Sequence, residues 1–552
     1  MSTTTRRSHA RRGQHSGAKF GAGRWGRLSA AASAALLITG LIALGGTQVA
    51  GAAKSKPPKG VVDQTLSLQF NQPVSLNPAL EGTDESDIVF GALDYDSLIF
   101  QLPSGKFTGD LATAWSYVPG SNNTKFNLTI RSGVTFSDGS TLTPQAVVNS
   151  IEYFKSANGP QGAFLAGLTS ATVTGPNTLQ LSFAAPQPDL PFLLDQYECV
   201  GQVVGPAGIA NPTELQTTSD GTGPYILSAS QSVANSSYVF TLNPQYWNPS
   251  AVHYNKVVVK VIADPQSALA SVESGQVNVL TGAPTTIAAS AKTAGLATYT
   301  VPFSIASLVF MDRTGTASPL GNILVREAIN DAVNRPGLAK ALGGSTAVPT
   351  DEVTVPGATG YDPALANLYK FNVANAKKLL AKAGYSNGFS LSVLDTSALD
   401  PNGDIGVALK SELAAIGIKL TLTVVPSPAQ FIPASLSKQY PAVIWPLAAD
   451  GTGFPYSVQF GLIPFTNAFN TTSSTLTSLL STAGGESGSA QTTEYQKVND
   501  YLVKNAWYAP LFSLGATFVV GKGVANVTPP TTANTTIDPV APEASLSWYP
   551  SK

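Results

Sequence analysis

The chain has 552 residues, 32 basic and 33 acidic, with charge at only 12% of positions where globular domains carry roughly 25%. A single cysteine, Cys199, excludes an intramolecular disulfide, a Cys-x-x-Cys redox pair and a multi-thiolate metal centre. Seven of the bases precede residue 28 with no acid among them, so the remainder holds 25 bases against 33 acids, a formal net of −8 with no electrostatic claim on nucleic acid.

Those seven bases (Arg6, Arg7, Arg11, Arg12, Lys19, Arg24, Arg27) are followed by a nearly uncharged apolar run from Leu28 to Gly46, the pattern of an export signal. Ala50-Gly51-Ala52 puts small residues at alternate positions, which predicts cleavage after Ala52 and a secretion signal over residues 1–52. An uncleaved anchor is the competing reading, because the run approaches the roughly 20 residues that span a bilayer. Its many weakly apolar Ala, Gly, Ser and Thr residues favour cleavage. No cysteine stands directly after the run, so the protein is expected in the extracellular or cell-envelope space without a Cys-linked lipid. Neither Arg6-Arg7 nor Arg11-Arg12 precedes the apolar residue of a twin-arginine signal. No second long apolar run appears, and the mature part reads as soluble.

Along the mature chain, Phe126, Leu128 and Ile130 alternate with polar residues as in a half-buried strand that stops at Ser132-Gly133. After a second turn at Asp138-Gly139, Thr143 caps a helix beginning at Pro144, with Val147, Val148, Ile151 and Phe154 on one face. Tyr238 to Leu242 and Val257 to Ile262 read as strands. Between them lies His253, the sole histidine once His9 and His15 leave with the signal. A two-His zinc motif is therefore impossible, any Ser-His-Asp triad would have to use His253, and its setting reads as structural or solvent-exposed. No Gly-rich phosphate loop is present, and nothing specific marks a catalytic carboxylate pair, although composition leaves one open.

Further on, Val325, Ala328, Ile329, Ala332 and Val333 share a face of a helix expected to end near Pro336. Val373, Ala376, Leu379, Leu380 and Ala383 do so in a helix ending at Gly384. Phe389 to Leu394 is strand-like, Asp404 can cap a helix carrying Ile405, Leu409 and Leu413 that ends at Gly417, and Ile418 to Val425 follows as a strand. Strand, helix and strand in this order predict a parallel α/β crossover.

The text from Arg131 to Phe154 closely resembles a signature of family 5 of the extracellular solute-binding proteins, the peptide-binding components of ABC importers. Pro144 and Ala146 depart from its usual Ala and Asp. Similar text recurs in order at Ser75 to Pro78, Gly109 to Trp115, Gly221 to Tyr225, Asn243 to Trp247, Ser274 to Val279, Val325 to Ile329, Ala376 to Tyr385 and Leu413 to Ile418. Asn278 replaces the Asp common at its place. The resemblance implies an α/β, two-lobed periplasmic-binding-protein-like fold of cluster C with an extra inserted domain and two hinge segments. Lobe 1 would comprise residues 61–87, an inserted domain at 88–214, and 215–312 ending in the first hinge. Lobe 2 would span 313–508, and 509–552 would hold the second hinge and the last part of lobe 1. Hinge segments at Val301 to Asp312 and Tyr508 to Val520 are apolar and extended in pattern.

In the family a ligand lies extended in the interlobe cleft, with its α-ammonium paired to an aspartate just after a Trp-x-Ala-Asp motif. The matching text is Trp445-Pro-Leu-Ala-Ala-Asp450-Gly-Thr-Gly-Phe-Pro-Tyr456, which is longer between Trp and Asp and lacks the usual Asp-Pro pair. Asp450 is the expected ligand contact, since a buried ammonium needs a counter-charge; a loop Asp capping the Gly-Thr-Gly turns is the alternative. Trp445 and Tyr456 are expected either to wall side-chain pockets or to belong to the core. Gln72 on the first strand and Phe512 on the second hinge lie where relatives line the cleft. The resemblance thus implies a monomeric binding protein, not an enzyme, with no cofactor or metal, that delivers a peptide or other small solute to an ABC permease with its ATPase subunits. A binding protein for a non-peptide solute such as an oligosaccharide, and a secreted hydrolase, are the alternatives. A nickel ligand is disfavoured by the single mature histidine. The identity of the solute is beyond what the residues specify.

Overall fold

The computed structural model describes residues 60–551 except 71, 82–84, 158, 345–346, 357, 366, 398–399, 401–402, 427, 449–465 and 529–537. The predicted signal over 1–52, Asp450 and Tyr456 lie outside the described residues.

The strands in chain order are β1 Val62–Phe70, β2 Ile99–Gln101, β3 Phe107–Gly109, β4 Ala112–Tyr117, β5 Lys125–Ile130, β6 Leu168–Gly175, β7 Thr178–Phe183 and β8 Tyr225–Leu227. They continue with β9 Ser237–Leu242, β10 Tyr254–Val261, β11 Val279–Pro284, β12 Ala297–Phe310, β13 Phe389–Thr396, β14 Ile418–Val425, β15 Ala442–Ala448 and β16 Tyr508–Val520. One 10-stranded sheet runs through both lobes in the order β14-β13-β15-β12-β16-β11-β1-β10-β9-β8. A 4-stranded sheet β4-β5-β7-β6 and the hairpin β2-β3 belong to the stretch between β1 and β8.

The local signals in this stretch act as their chemistry dictates. Phe126, Leu128 and Ile130 are all buried on β5, and Gly133 and Gly139 take φ of +80° and +89° in the two turns, a region closed to most side chains. Thr143 Oγ1 accepts the Ala146 amide at 3.2 Å, capping the helix Pro144–Ser156, whose Val147, Ile151 and Phe154 enter the core.

In the second lobe β13 pairs in parallel with β14 from Phe389↔Ile418 to Thr396↔Val425, and with β15 through Val393↔Ala442 and Leu394↔Val443. Both sheet faces are covered, as parallel sheets require. On β15, Ala442 and Ile444 enter one hydrophobic cluster while Val443, Trp445 and Leu447 enter another.

Two expectations are corrected here. The helix Ile323–Ala332 stops at Val333, and Pro336 lies in the first turn of a new helix, Arg335–Leu342, where its missing N–H costs nothing. Asp404 is the first residue of the helix Asp404–Ala414 rather than its cap. The capping carboxylate is Asp400, which accepts the amides of Asp404 at 2.9 Å, Ile405 at 2.8 Å and Gly406 at 3.2 Å.

Candidate functional site

Two strands pass between the lobes, and their pairing fixes where a cleft must lie. β12 and β16 run antiparallel from Ala297↔Val520 to Val309↔Tyr508. On the second-lobe side the last residue of β15, Ala448, pairs with Ser304, which in turn pairs with Leu514. On the first-lobe side the last residue of β11, Pro284, pairs with Ala516. The carboxyl ends of parallel strands from both lobes thus converge within two residues of each other along β16. In open α/β sheets ligands bind in the crevice beyond such ends.

From this edge the expected residues can be placed. Asp450 is the second residue past β15 in sequence and lies outside the described residues. Gln72 is not on the first strand: it follows the carboxyl end of β1 by two residues, is exposed, and its Nε2 donates to Tyr238 Oη at 3.0 Å. Trp445 is 9% exposed and stacks on Phe431 with centroids 4.4 Å apart and planes at 27°. Phe512 is 0% exposed within the cluster that holds Leu308, Phe310 and Leu338.

Trp445 and Phe512 are not brought together. Trp445 pairs with Ser307 and Phe512 with Ala306, neighbouring residues of β12 whose side chains point to opposite faces. A bulge between Ala306 and Ser307 in the β12–β16 ladder carries Leu511 as the extra residue. The two aromatics accordingly belong to different hydrophobic clusters, and Phe512, buried among second-lobe side chains, presents no surface to a solute.

Two acids that the sequence reading did not single out, Asp395 and Asp400, lie at and beyond the carboxyl end of β13. Asp395 is 0% exposed, and its Oδ1 accepts the Thr396 amide at 2.7 Å. Burial, with the neighbouring Asp400 carboxylate adding to it, pushes Asp395 up to about 7. Asp400 spends both oxygens on the helix N-terminus. The signal was available in the run Leu394-Asp-Thr-Ser-Ala-Leu-Asp400, where two acids flank a strand end with no base nearby. Among the described residues no group of three or more His, Cys, Asp or Glu is arranged to hold a metal ion. His253 packs its ring edge-on against Tyr549, centroids 6.0 Å apart.

Comparison with known proteins bears on the same architecture. The chain is similar to the glutathione-binding protein GsiB of Escherichia coli, 24% identical over 323 residues that make up 56% of this chain. The match spans 60% of that relative's length. Among solved structures it resembles DppA of Helicobacter pylori in complex with the peptide STSA, at a TM-score of 0.75 and 21% identity over 89% of this chain and 98% of that one. It also resembles the Escherichia coli murein tripeptide binding protein MppA, at 0.74 and 19% over 89% and 99%. These likenesses establish the two-lobed periplasmic-binding-protein fold. No helix among the described residues is long and apolar enough to cross a membrane. The family model for bacterial extracellular solute-binding proteins, family 5 Middle, matches residues 106–467, and the chain belongs to that family of binding proteins.

Proposed function

We propose that this chain is the exported solute-binding component of an ABC importer, capturing a peptide in the interlobe crevice and passing it to a permease with its ATPase subunits. The observation that carries the reading is the convergence of strand carboxyl ends from both lobes at the middle of β12 and β16. A solute seated there touches both lobes at once, which is the condition for a ligand to bias their closure. Asp450, just past β15, supplies the counter-charge for an α-ammonium in this reading. Peptide as the solute class is supported by the ligands named for the similar proteins above.

The same proposal takes residues 61–87, 215–312 and 509–552 as lobe 1, 88–214 as its inserted domain and 313–508 as lobe 2. It takes the protein as a monomer released by cleavage after Ala52, which an intact mass beginning at Ala53 checks. It assigns the chain no chemistry of its own. Calorimetric titration with short peptides should give saturable one-to-one binding, with the peptide recovered uncut; steady conversion to products would overturn this.

A further inference from the structure

We propose that the turn joining β4 to β5 in the inserted domain is a latch on the second lobe, gripping the carboxyl end of the helix Ser474–Gly485 when the lobes are closed and releasing it when they open. The proposal rests on the lobe boundaries and the crevice closure argued above, and it adds a tie that belongs neither to the connecting strands β12 and β16 nor to the strand ends at the crevice.

The turn is built to hold one shape. Asn122 and Asn123 take φ of +52° and +55°, the left-handed region that asparagine tolerates better than most residues with a side chain. The Ser121 amide donates to the Val118 carbonyl at 3.1 Å, and the Thr124 amide to the Ser121 carbonyl at 3.1 Å. The Asn123 carbonyl accepts the Gln187 amide at 3.0 Å, so the loop after β7 backs the turn.

The side chain of Asn123 leaves its own domain. Its Nδ2 donates to the carbonyls of Gly484 at 2.8 Å and Glu486 at 3.2 Å. The last carbonyls of a helix have no partner within it, and in an open form water takes the place of Asn123. Glu486 O also accepts Gln491 Nε2 at 3.1 Å inside the second lobe, so it stays partnered in either arrangement. Trading such bonds for water changes the free energy little, which keeps the contact reversible.

Two glycines make room for the approach. A Cβ on Gly485 would lie 2.2 Å from Asn122 Oδ1, and one on Gly484 would lie 3.2 Å from Pro186 Cβ. Neither glycine has a positive φ, so the helix itself does not require them, and glycine weakens a helix by its own propensity. The facing loops are what they accommodate. Ala483 and Tyr495 also fall in one hydrophobic cluster with Leu190 and Phe192 of the inserted domain.

The test uses the full chain and needs no solute, so its outcome is independent of peptide capture. Asn122→Cys with Gly485→Cys should form a disulfide under mild oxidation, read by peptide mapping before and after reduction. Asn122→Cys with Thr477→Cys, an exposed position about 12 Å back along the helix, should not. Asn123→Ala combined with Gly485→Leu should favour the open form roughly tenfold, seen in small-angle scattering as a larger radius of gyration. Its Tm should hold, because leucine strengthens the helix end. The oxidised cysteine pair should show the smaller radius. A fixed interface, the rival reading of the shared cluster, predicts a lower Tm and an unchanged radius for the combined variant. That result would overturn the proposal, as would failure of the Asn122→Cys, Gly485→Cys pair to cross-link.

Discussion

Thr285 Oγ1 donates to the Gly343 carbonyl at 2.8 Å, joining the residue just past β11 in the first lobe to the residue that ends the helix Arg335–Leu342 in the second. The contact is close enough that a Cβ on Gly344 would lie 2.4 Å from that hydroxyl. Replacing Thr285 by Val keeps the shape and removes the bond, a loss of about 1 kcal/mol from the present lobe arrangement. If a solute binds that arrangement, its affinity should fall roughly threefold to tenfold by calorimetry. Unchanged affinity would show that this bond does not contribute to closure.

Asp450 is tested by removing its charge while keeping its shape. Asp450→Asn should lower affinity for a free-amine peptide by about 2 to 4 kcal/mol, the order expected when a buried charge loses its partner. An N-acetylated form of the same peptide should already bind wild type poorly, and the variant should discriminate much less between the two. Equal affinities of wild type and variant for the free amine would remove Asp450 from the site without touching the binding-protein reading.

Asp395 should leave a pH signature. Its carboxyl, near 3.8 in the unfolded chain, is pushed up to about 7 in the folded one. The folded state therefore keeps a proton that the unfolded chain has released, and the associated stability is fully present below about 4 and lost as pH rises through 7. Asp395→Asn imitates the protonated form at every pH. Calorimetric melting across that range should show a fall in Tm for wild type that is shallower in the variant, whereas parallel curves would place the proton elsewhere.

The Arg335–Asp351 ion pair sets up an asymmetry between its two deletions. Burial lowers the Arg335 pKa and raises that of Asp351 even against the attraction between them, so the pair is held at a desolvation cost. Arg335→Met strands Asp351 together with acceptors on Asn330 and Pro510, and should cost about 3 to 5 kcal/mol in denaturant unfolding. Asp351→Asn retains an oxygen for Arg335 and should cost distinctly less. Equal losses would mean that the carbonyl contacts, which tie β16 to the second lobe, contribute little.

The parts of the fold legible in the residues are those written in local chemistry. The turn glycines, the Thr143 cap and the β13–helix–β14 unit all rest on neighbours within a few positions, and each appears as read. Asp400 was passed over for Asp404 because a cap is recognised by adjacency to the first apolar residue, whereas this carboxylate reaches the helix from four residues before it. The site aromatics were harder still. Whether Trp445 and Phe512 share a face depends on a bulge in pairing between β12 and β16, some two hundred residues apart, and a one-residue slip reverses every side chain. Gln72 was placed on the first strand although β1 ends at Phe70 and Pro73, which has no N–H to donate to a ladder, follows at once. The convergence of strand ends at Ser304, Leu514 and Ala516 is a property of the whole sheet order, which no single segment encodes.

Native mass spectrometry of the freshly purified protein identifies the bound solute directly. The expected result is a one-to-one adduct that fragments as an intact peptide and is released unchanged on denaturation. A saccharide or other non-peptide adduct would contradict peptide capture, and a pair of cleaved fragments in place of one intact solute would contradict the assignment of binding without chemistry.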